Sequence, residues 1–193
     1  MITRIQRHLP LHSITSHSYD NIYVADYKNH NNGDVVILDT KPNDIACVHI
    51  ANPNKISIYF DGFKDQALPL PKKQFCKQCE CVLFTQDQNT WALFIEMKYA
   101  VSEVTAFDIK RDYPNVMINQ IIETVSYFRS KTIIPNDKIV HALVSFPNLV
   151  MDFNATLFSK SQTTIEDILG TYKIIIRASN KASIRSQTTI NLS

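Results

Sequence analysis

The chain has 193 residues, of which 45% are hydrophobic and 20% are charged. This balance is typical of a folded globular protein and excludes a disordered chain, and no apolar run approaches the roughly 20 residues needed to span a bilayer. The formal net charge is only +2, which excludes the overall basic field of a DNA-packaging protein. We therefore predict a single domain, 1–193, with no membrane segment and a cytoplasmic location.

The first part of the chain, 1–70, is predicted to be β-rich. Residues up to Asp20 have no clear periodicity and are expected to be irregular. Apolar runs separated by Asn, Gly and Pro then predict strands at 21–27, 35–39, 46–50 and 56–60, arranged as an antiparallel meander. The prolines at 69 and 71 end this part, because proline cannot donate to a strand ladder.

A hairpin is predicted next, with strands at 79–84 and 91–99 joined by a polar turn at 85–90. The run from Trp91 to Ile95 is almost continuously apolar, as in a strand covered on both faces. Charges at the end of such a strand are costly unless they have partners or a ligand.

Charged residues mark the ends of both hairpin strands. Side chains alternate along a strand, so Glu96 and Lys98 project to one side, while Met97 turns to the other and offers its backbone carbonyl at the edge. Glu80, on the first strand, can face them across the pair. Two carboxylates and a carbonyl form an oxygen-only site, which suits Mg²⁺ or Mn²⁺ rather than zinc.

A helix follows the hairpin. Pro114 suits the first turn of a helix, and apolar residues then recur every three or four positions up to about Lys131. Gln120 lies on the flank of this apolar stripe, where its amide either reaches a neighbouring site or is that of an ordinary surface glutamine. A buried strand at 138–146 completes a strand, helix, strand unit, which predicts a parallel pair.

The C-terminal part, 147–193, is predicted to contain a helix at 161–169 that ends at Gly170, followed by a strand at 172–178. The fold class is therefore α/β, with a mixed sheet and packed helices.

The order Cys79-Glu80, Glu96-x-Lys98 and a downstream helix with Gln120 resembles the PD-(D/E)XK nuclease superfamily, over about a third of the chain. The resemblance implies a restriction-endonuclease-like core at 75–146 that hydrolyses phosphodiester bonds in DNA or RNA with Mg²⁺ or Mn²⁺. It implies Glu80, Glu96 and the Met97 carbonyl as metal ligands. Lys98 would orient water or stabilise charge, and Gln120 would position the nucleophile or substrate. A homodimer is left open.

A second interpretation is a catalytically inactive binding or assembly module with the same fold. Glu80 replaces the aspartate that is usual in the superfamily, and no early helix carries a further acid. A Glu-x-Lys pair also occurs by chance on exposed strands, where it only solvates the sheet. If Glu80 and Glu96 share one site in the structure, the nuclease interpretation is favoured.

Basic residues are concentrated at the two ends of the chain, because no acid precedes Asp20 or follows Asp167. These end segments contain Arg4, Arg7, Lys173, Arg177, Lys181 and Arg185. Such residues can contact phosphates, whose neutralisation dominates nucleic-acid affinity. A solvated basic edge explains the same pattern, and both interpretations stay open.

The cysteines suggest a zinc site only at first sight. A structural zinc ion has four ligands, and the chain has four cysteines, which are Cys47, Cys76, Cys79 and Cys81. However, Cys79 and Cys81 are expected to share one strand face, so we predict reduced thiols with neither zinc nor a disulfide. None of the six histidines has metal-like spacing, and the three glycines form no phosphate-binding loop.

Overall fold

A computed structural model describes residues 1–86 and 90–193. Its helices are α1 (Ile2–His8), α2 (Lys28–Asn31), α3 (Glu103–Ala106), α4 (Tyr113–Ser130), α5 (Asn154–Ser159) and α6 (Ile165–Tyr172). Its strands are β1 (Ile14–His17), β2 (Asn21–Asp26), β3 (Val35–Leu38), β4 (Val48–Ala51), β5 (Ile58–Gly62), β6 (Pro69–Leu70), β7 (Gln74–Phe75), β8 (Cys81–Phe84), β9 (Ala92–Met97), β10 (Val140–Ser145), β11 (Ile174–Ala178), β12 (Lys181–Ile184) and β13 (Ile190–Leu192).

Two sheets form the framework. Sheet A has six strands in the order β1-β5-β8-β9-β10-β11, and sheet B has five in the order β13-β12-β4-β2-β3. Buried side chains of α1, α4, α5 and α6 pack on one face of sheet A and form the helix-side core. Sheet B packs on the other face and forms the inter-sheet core. Sheet A is therefore covered on both faces.

The predicted α/β class with a mixed sheet is confirmed. Strands β8 and β9 are antiparallel, whereas β9, β10 and β11 are parallel. Every residue of β8 and β9 is buried, as the apolar run predicted. Helix α4 lies between β9 and β10 in the chain, which confirms the strand, helix, strand unit. Of the predicted turn at 85–90, residues 87–89 lie outside the described residues.

Several sequence predictions for the flanking parts are wrong. The segment before Asp20 is not irregular, because it contains α1 and β1. The meander is incomplete, since β2 pairs with both β3 and β4 while β5 joins β1 and β8 in sheet A. Helix α6 continues through Gly170, and Lys173 ends it in a left-handed conformation. The single-domain assignment stays a prediction. No helix in the described ranges has the length and apolar character required to cross a bilayer.

A buried ion pair ties the segment before β1 to β5. His12 Nδ1 lies 2.8 Å from Asp61 Oδ2, and His12 Nε2 lies 3.1 Å from the carbonyl oxygen of Ala67. The Asp61 side chain is fully buried and the His12 side chain is 7% exposed. Both imidazole nitrogens thus face acceptors, an arrangement that favours the imidazolium form, in which both nitrogens donate.

This pair should make stability depend on pH. Burial alone would lower the pKa of His12, but Asp61 and the Ala67 carbonyl outweigh it and raise the pKa above 6.5. Burial raises the pKa of Asp61, against the effect of His12. The raised pKa of His12 contributes stability that is fully present below pH 6.5 and is lost as pH rises through the folded pKa of His12. The raised pKa of Asp61 has the same sign, but its effect begins at lower pH, above 3.8.

We expect the free energy of unfolding to fall as pH rises above 6.5, by at most about 1.4 kcal/mol per pH unit from His12. Urea unfolding over a series of pH values measures it. The double variant His12→Gln with Asp61→Asn keeps an amide that can reach the Ala67 carbonyl and removes both titrating groups, so its profile should be flatter. An equal slope in the variant would assign the pH dependence to other groups.

Candidate functional site

The end of β9 places a carboxylate and an ammonium group side by side. Glu96 faces the helix-side core and its side chain is fully buried, while the Lys98 side chain is 24% exposed. Lys98 Nζ lies 2.5 Å from Glu96 Oε1. Apart from this contact with Lys98, no described residue donates a hydrogen bond to either carboxylate oxygen of Glu96. Glu96 is thus a buried carboxylate with one close cation and unused acceptor capacity.

A β-bulge places Glu80 near this pair. The Glu80 N–H donates to the carbonyl oxygen of Ile95 at 2.9 Å, and Ile95 is also the register partner of Cys81. Two residues of one strand therefore lie opposite one residue of its neighbour, which is the pattern of a bulge. Cys79 packs into the helix-side core and Cys81 into the inter-sheet core. The prediction that these cysteines share one face is wrong, because it assumed unbroken alternation.

Helix α4 holds the main chain that leads into the bulge. Gln120 Nε2 donates to the Gln78 carbonyl oxygen at 2.6 Å. The hydroxyl of Thr124 accepts from the Cys79 N–H at 2.9 Å and donates to the Gln120 carbonyl oxygen at 2.7 Å. Thr124 is fully buried, so the Cys79 N–H depends on it rather than on solvent. The position of Glu80 is thereby fixed from α4.

Thr124→Val keeps the side-chain volume but removes this acceptor. We expect a loss of about 1–3 kcal/mol in the free energy of unfolding, because a buried N–H is left without a partner. Denaturant unfolding measures it. Thr124→Ser retains the hydroxyl and should lose less. If serine destabilises the protein as much as valine does, the hydrogen bond is not the cause.

Lys28, at the start of α2, is a member of the site that the sequence analysis did not single out. Its ammonium group donates to Glu80 Oε2 and lies 3.8 Å from Asp65 Oδ1. Its main-chain N–H donates to Asp26 Oδ1 at 2.9 Å. A signal was present in the sequence, since Asp26-x-Lys28 follows an apolar strand just as Glu96-x-Lys98 does. We name Lys28, Glu80, Glu96 and Lys98 the acid–lysine cluster.

The charges of this cluster act on one another. Burial raises the pKa of Glu96 to about 8, and Glu80 adds to the rise while Lys98 and Lys28 oppose it. Burial also raises the pKa of Glu80, against the effect of Lys28. The pKa of Lys98 is raised as well, because Glu96 and Glu80 outweigh the lowering by burial. Each predicted acid therefore lies within electrostatic reach of the other.

A cavity of about 870 Å³ opens beside the cluster, between α2 and α4. Lys28, Glu80 and Gln120 line it, whereas Glu96 and Lys98 lie outside its lining. Polar side chains that share this wall include Asn29, Asn32, Gln66, Asp112, Asn115 and Asn119. Glu80 is thus the carboxylate through which a ligand in the cavity meets the cluster.

The remaining predicted ligands are placed as follows. The Met97 side chain packs in the inter-sheet core, so only its backbone is available to the site. All four cysteines are free thiols. Within residues 1–86 and 90–193, no group of three or more His, Cys, Asp or Glu side chains is arranged to hold a metal ion. The catalytic and metal-binding roles of Glu80, Glu96, Met97, Lys98 and Gln120 stay predictions.

Comparisons of the chain with models of protein families, with curated proteins and with solved structures give no match. The interpretation of the acid–lysine cluster therefore depends on its own geometry and on the residues that carry the resemblance.

Proposed function

We propose that the protein is a metal-dependent hydrolase of phosphodiester bonds in nucleic acid. The observation that carries the proposal is the Glu96 carboxylate, which is fully buried, lies within electrostatic reach of Glu80 and has acceptor capacity left over beyond its contact with Lys98. Buried carboxylates are normally fully hydrogen-bonded or coordinated, because the unsatisfied state is costly. Such a carboxylate with a second acid next to it is suited to a cation.

The residues present fit a magnesium or manganese ion. Glu80 and Glu96, with the Met97 carbonyl, would hold it, and Mg²⁺ commonly uses only one or two protein carboxylates together with waters and substrate phosphates. When bound, the ion would supply polarisation of the scissile phosphate and a more acidic water.

Two further residues have roles that follow from their contacts. Lys98 keeps its proton beside Glu96 and is partly exposed, so its positive charge can stabilise the negative charge that develops on a phosphate. Gln120 lines the cavity, but its amide nitrogen is engaged by the Gln78 carbonyl. Gln120 is therefore a positioning residue that holds the main chain before Glu80.

The test is a cleavage assay with purified protein on single- and double-stranded DNA and RNA, with Mg²⁺, Mn²⁺ or EDTA. We expect cleavage of at least one substrate with metal and none with EDTA. Protein that is inert with both metals on every substrate would overturn the proposal. The proposal takes the cytoplasm as the compartment, which the free thiols support. A homodimer, which size-exclusion chromatography would detect, is a finer prediction.

One observation favours the second candidate, a catalytically inactive binding or assembly module. The Lys28 ammonium group already neutralises Glu80, so the cluster contains two acids and two cations and is balanced without a metal. In an active enzyme the Lys28 ammonium group must move away from the Glu80 carboxylate when the ion binds. In an inactive module the ion pair with Glu80 is permanent.

Replacing Lys28 by Met separates these candidates. The variant frees the Glu80 carboxylate, so in a metal-binding protein we expect a lower melting temperature without metal and a larger stabilisation by Mn²⁺ than in wild type. Lys64→Met, at an exposed lysine that lies 3.9 Å from Asp34, is the matched control and should leave the Mn²⁺ effect unchanged. A Lys28 variant that Mn²⁺ does not stabilise would favour the inactive module.

A further inference from the structure

A second cavity, of about 520 Å³, lies where sheet B meets the carboxyl ends of β10 and β11. We name it the basic pocket after the cationic or basic side chains in its lining, which are Lys41, His49, Arg177 and Lys181. Asp152 is the acidic side chain in its lining. The four basic side chains come from the segment before β4, from β4 itself, and from β11 and β12. Elements far apart in the chain thus deliver them to one cavity.

Asp152 does not pair with the cations of the basic pocket in the described residues. Across the described ranges, Lys41, Arg177 and Lys181 form no ion pair with a carboxylate. Arg177 Nε is buried and has no hydrogen-bond partner among the described residues. Burial lowers the pKa of His49, and the charges of Lys181 and Lys41 lower it further, which shows that the two lysines act on the same space. A ligand with negative charge would relieve this repulsion.

The basic pocket lies close to the acid–lysine cluster. Glu96, Val144 and Ala178 occupy one row across β9, β10 and β11, and Ala178 lines the pocket. Two interstrand spacings, about 10 Å, therefore separate the main chain at Glu96 from the pocket wall. A nucleic-acid strand that advances 3.4 Å per nucleotide covers this distance in about three nucleotides.

Tyr99 follows Lys98 in the chain and has neighbours at both the acid–lysine cluster and the basic pocket. Its hydroxyl accepts from the Asp26 N–H at 2.9 Å, and its pKa is raised by burial first and then by the neighbouring acids Asp26 and Glu80 and the thiol of Cys47. Cys47 lines the basic pocket and Glu80 lines the cavity beside the cluster. Tyr99 therefore lies within electrostatic reach of one residue from each lining.

We propose that the basic pocket binds a backbone phosphate of the nucleic-acid strand whose phosphodiester bond is hydrolysed at the acid–lysine cluster, a few nucleotides from the scissile bond. The inference depends on the proposed function for its choice of ligand. Lysine ammonium groups bind phosphate as point charges, and arginine adds a planar fork of donors that matches phosphate oxygens. A strand anchored here is held in register with Glu80 and Glu96.

The test compares two double variants that remove the same charge. Lys41→Gln with Lys181→Gln alters the basic pocket, and Lys110→Gln with Lys160→Gln alters two other exposed lysines. Binding of fluorescein-labelled 20-nucleotide DNA and RNA, single- and double-stranded, is followed by anisotropy in EDTA, so that no cleavage occurs. We expect the pocket variant to bind about tenfold more weakly than wild type. The slope of log K against log salt concentration should also become shallower by about two units. The control variant should keep the affinity and the slope of wild type.

Equal binding by wild type and the pocket variant, or binding by neither, would overturn the inference. A titration with inorganic phosphate, followed by the NMR signals of His49, separates the sources of the ligand. A phosphate-induced shift together with unchanged oligonucleotide binding would assign the pocket to a small phosphate compound and would also overturn the inference. Because binding is measured without metal, a protein that binds through the pocket but never cleaves would refute only the proposed function.

Discussion

Glu96→Gln should abolish both the stabilisation of the protein by Mg²⁺ or Mn²⁺ and the cleavage of nucleic acid. The amide keeps the shape of the buried side chain but removes its charge, and the site would then retain only one of the two carboxylates that would hold the ion. At a metal concentration one hundred times Kd, the wild type should gain about 2.7 kcal/mol. For a chain of this length, that gain corresponds to a rise of about 5–10 °C in Tm.

Differential scanning fluorimetry with and without metal measures the shift, and the cleavage assay is run on the same samples. Glu103→Gln, which removes an exposed acid in the first turn of α3, is the matched control and should keep both properties. A metal-induced rise in Tm that persists in the Glu96 variant would place the metal elsewhere.

Lys98→Ala should separate metal binding from catalysis. The variant removes the ammonium group 2.5 Å from Glu96 Oε1, which frees carboxylate charge for the ion, so the metal-induced rise in Tm should remain. Cleavage should fall about 10²–10³-fold, the effect typical of losing one group that stabilises charge in the transition state. Single-turnover cleavage rates at saturating metal measure the loss.

Lys98→Arg provides the comparison for Lys98→Ala, because it keeps a positive charge at the same position and should recover part of the rate. Cleavage that is undiminished in the Glu96 and Lys98 variants alike would show that the activity belongs to another site or to a contaminant.

The elements that carry the site could be predicted because each has a local signal. The apolar run before Glu96 is that of a strand covered on both faces, and β9 is fully buried. The spacing of apolar residues after Pro114 predicted a helix at 114–131, and α4 spans Tyr113–Ser130. Helix α1 buries only Ile5 and is too short for such a period to show, so it was missed.

The long-range features could not be predicted, because nothing local encodes them. Ile58 and Phe60 of β5 face the inter-sheet core, which both sheets line. Their alternation in the sequence does not show which sheet β5 belongs to, so its pairing with β1 and β8 was not predicted. The bulge at Glu80 depends on how Thr124 and Gln120 hold the preceding main chain. Lys28 contacts Glu80 just before the start of β8, and this contact joins segments that are 52 residues apart in the chain.

The shortness of α2 has a consequence for how the cluster opens. This helix has four residues, none of them buried, whereas Glu96 lies in a strand that is buried throughout. Local opening ranges from almost no cost in such exposed turns to the full cost of global unfolding in core strands. Amide hydrogen exchange should therefore be fast at Lys28 and very slow at Glu96. We therefore expect a ligand to reach Glu80 when α2 unfolds locally and Lys28 moves away, while β9 keeps Glu96 in place.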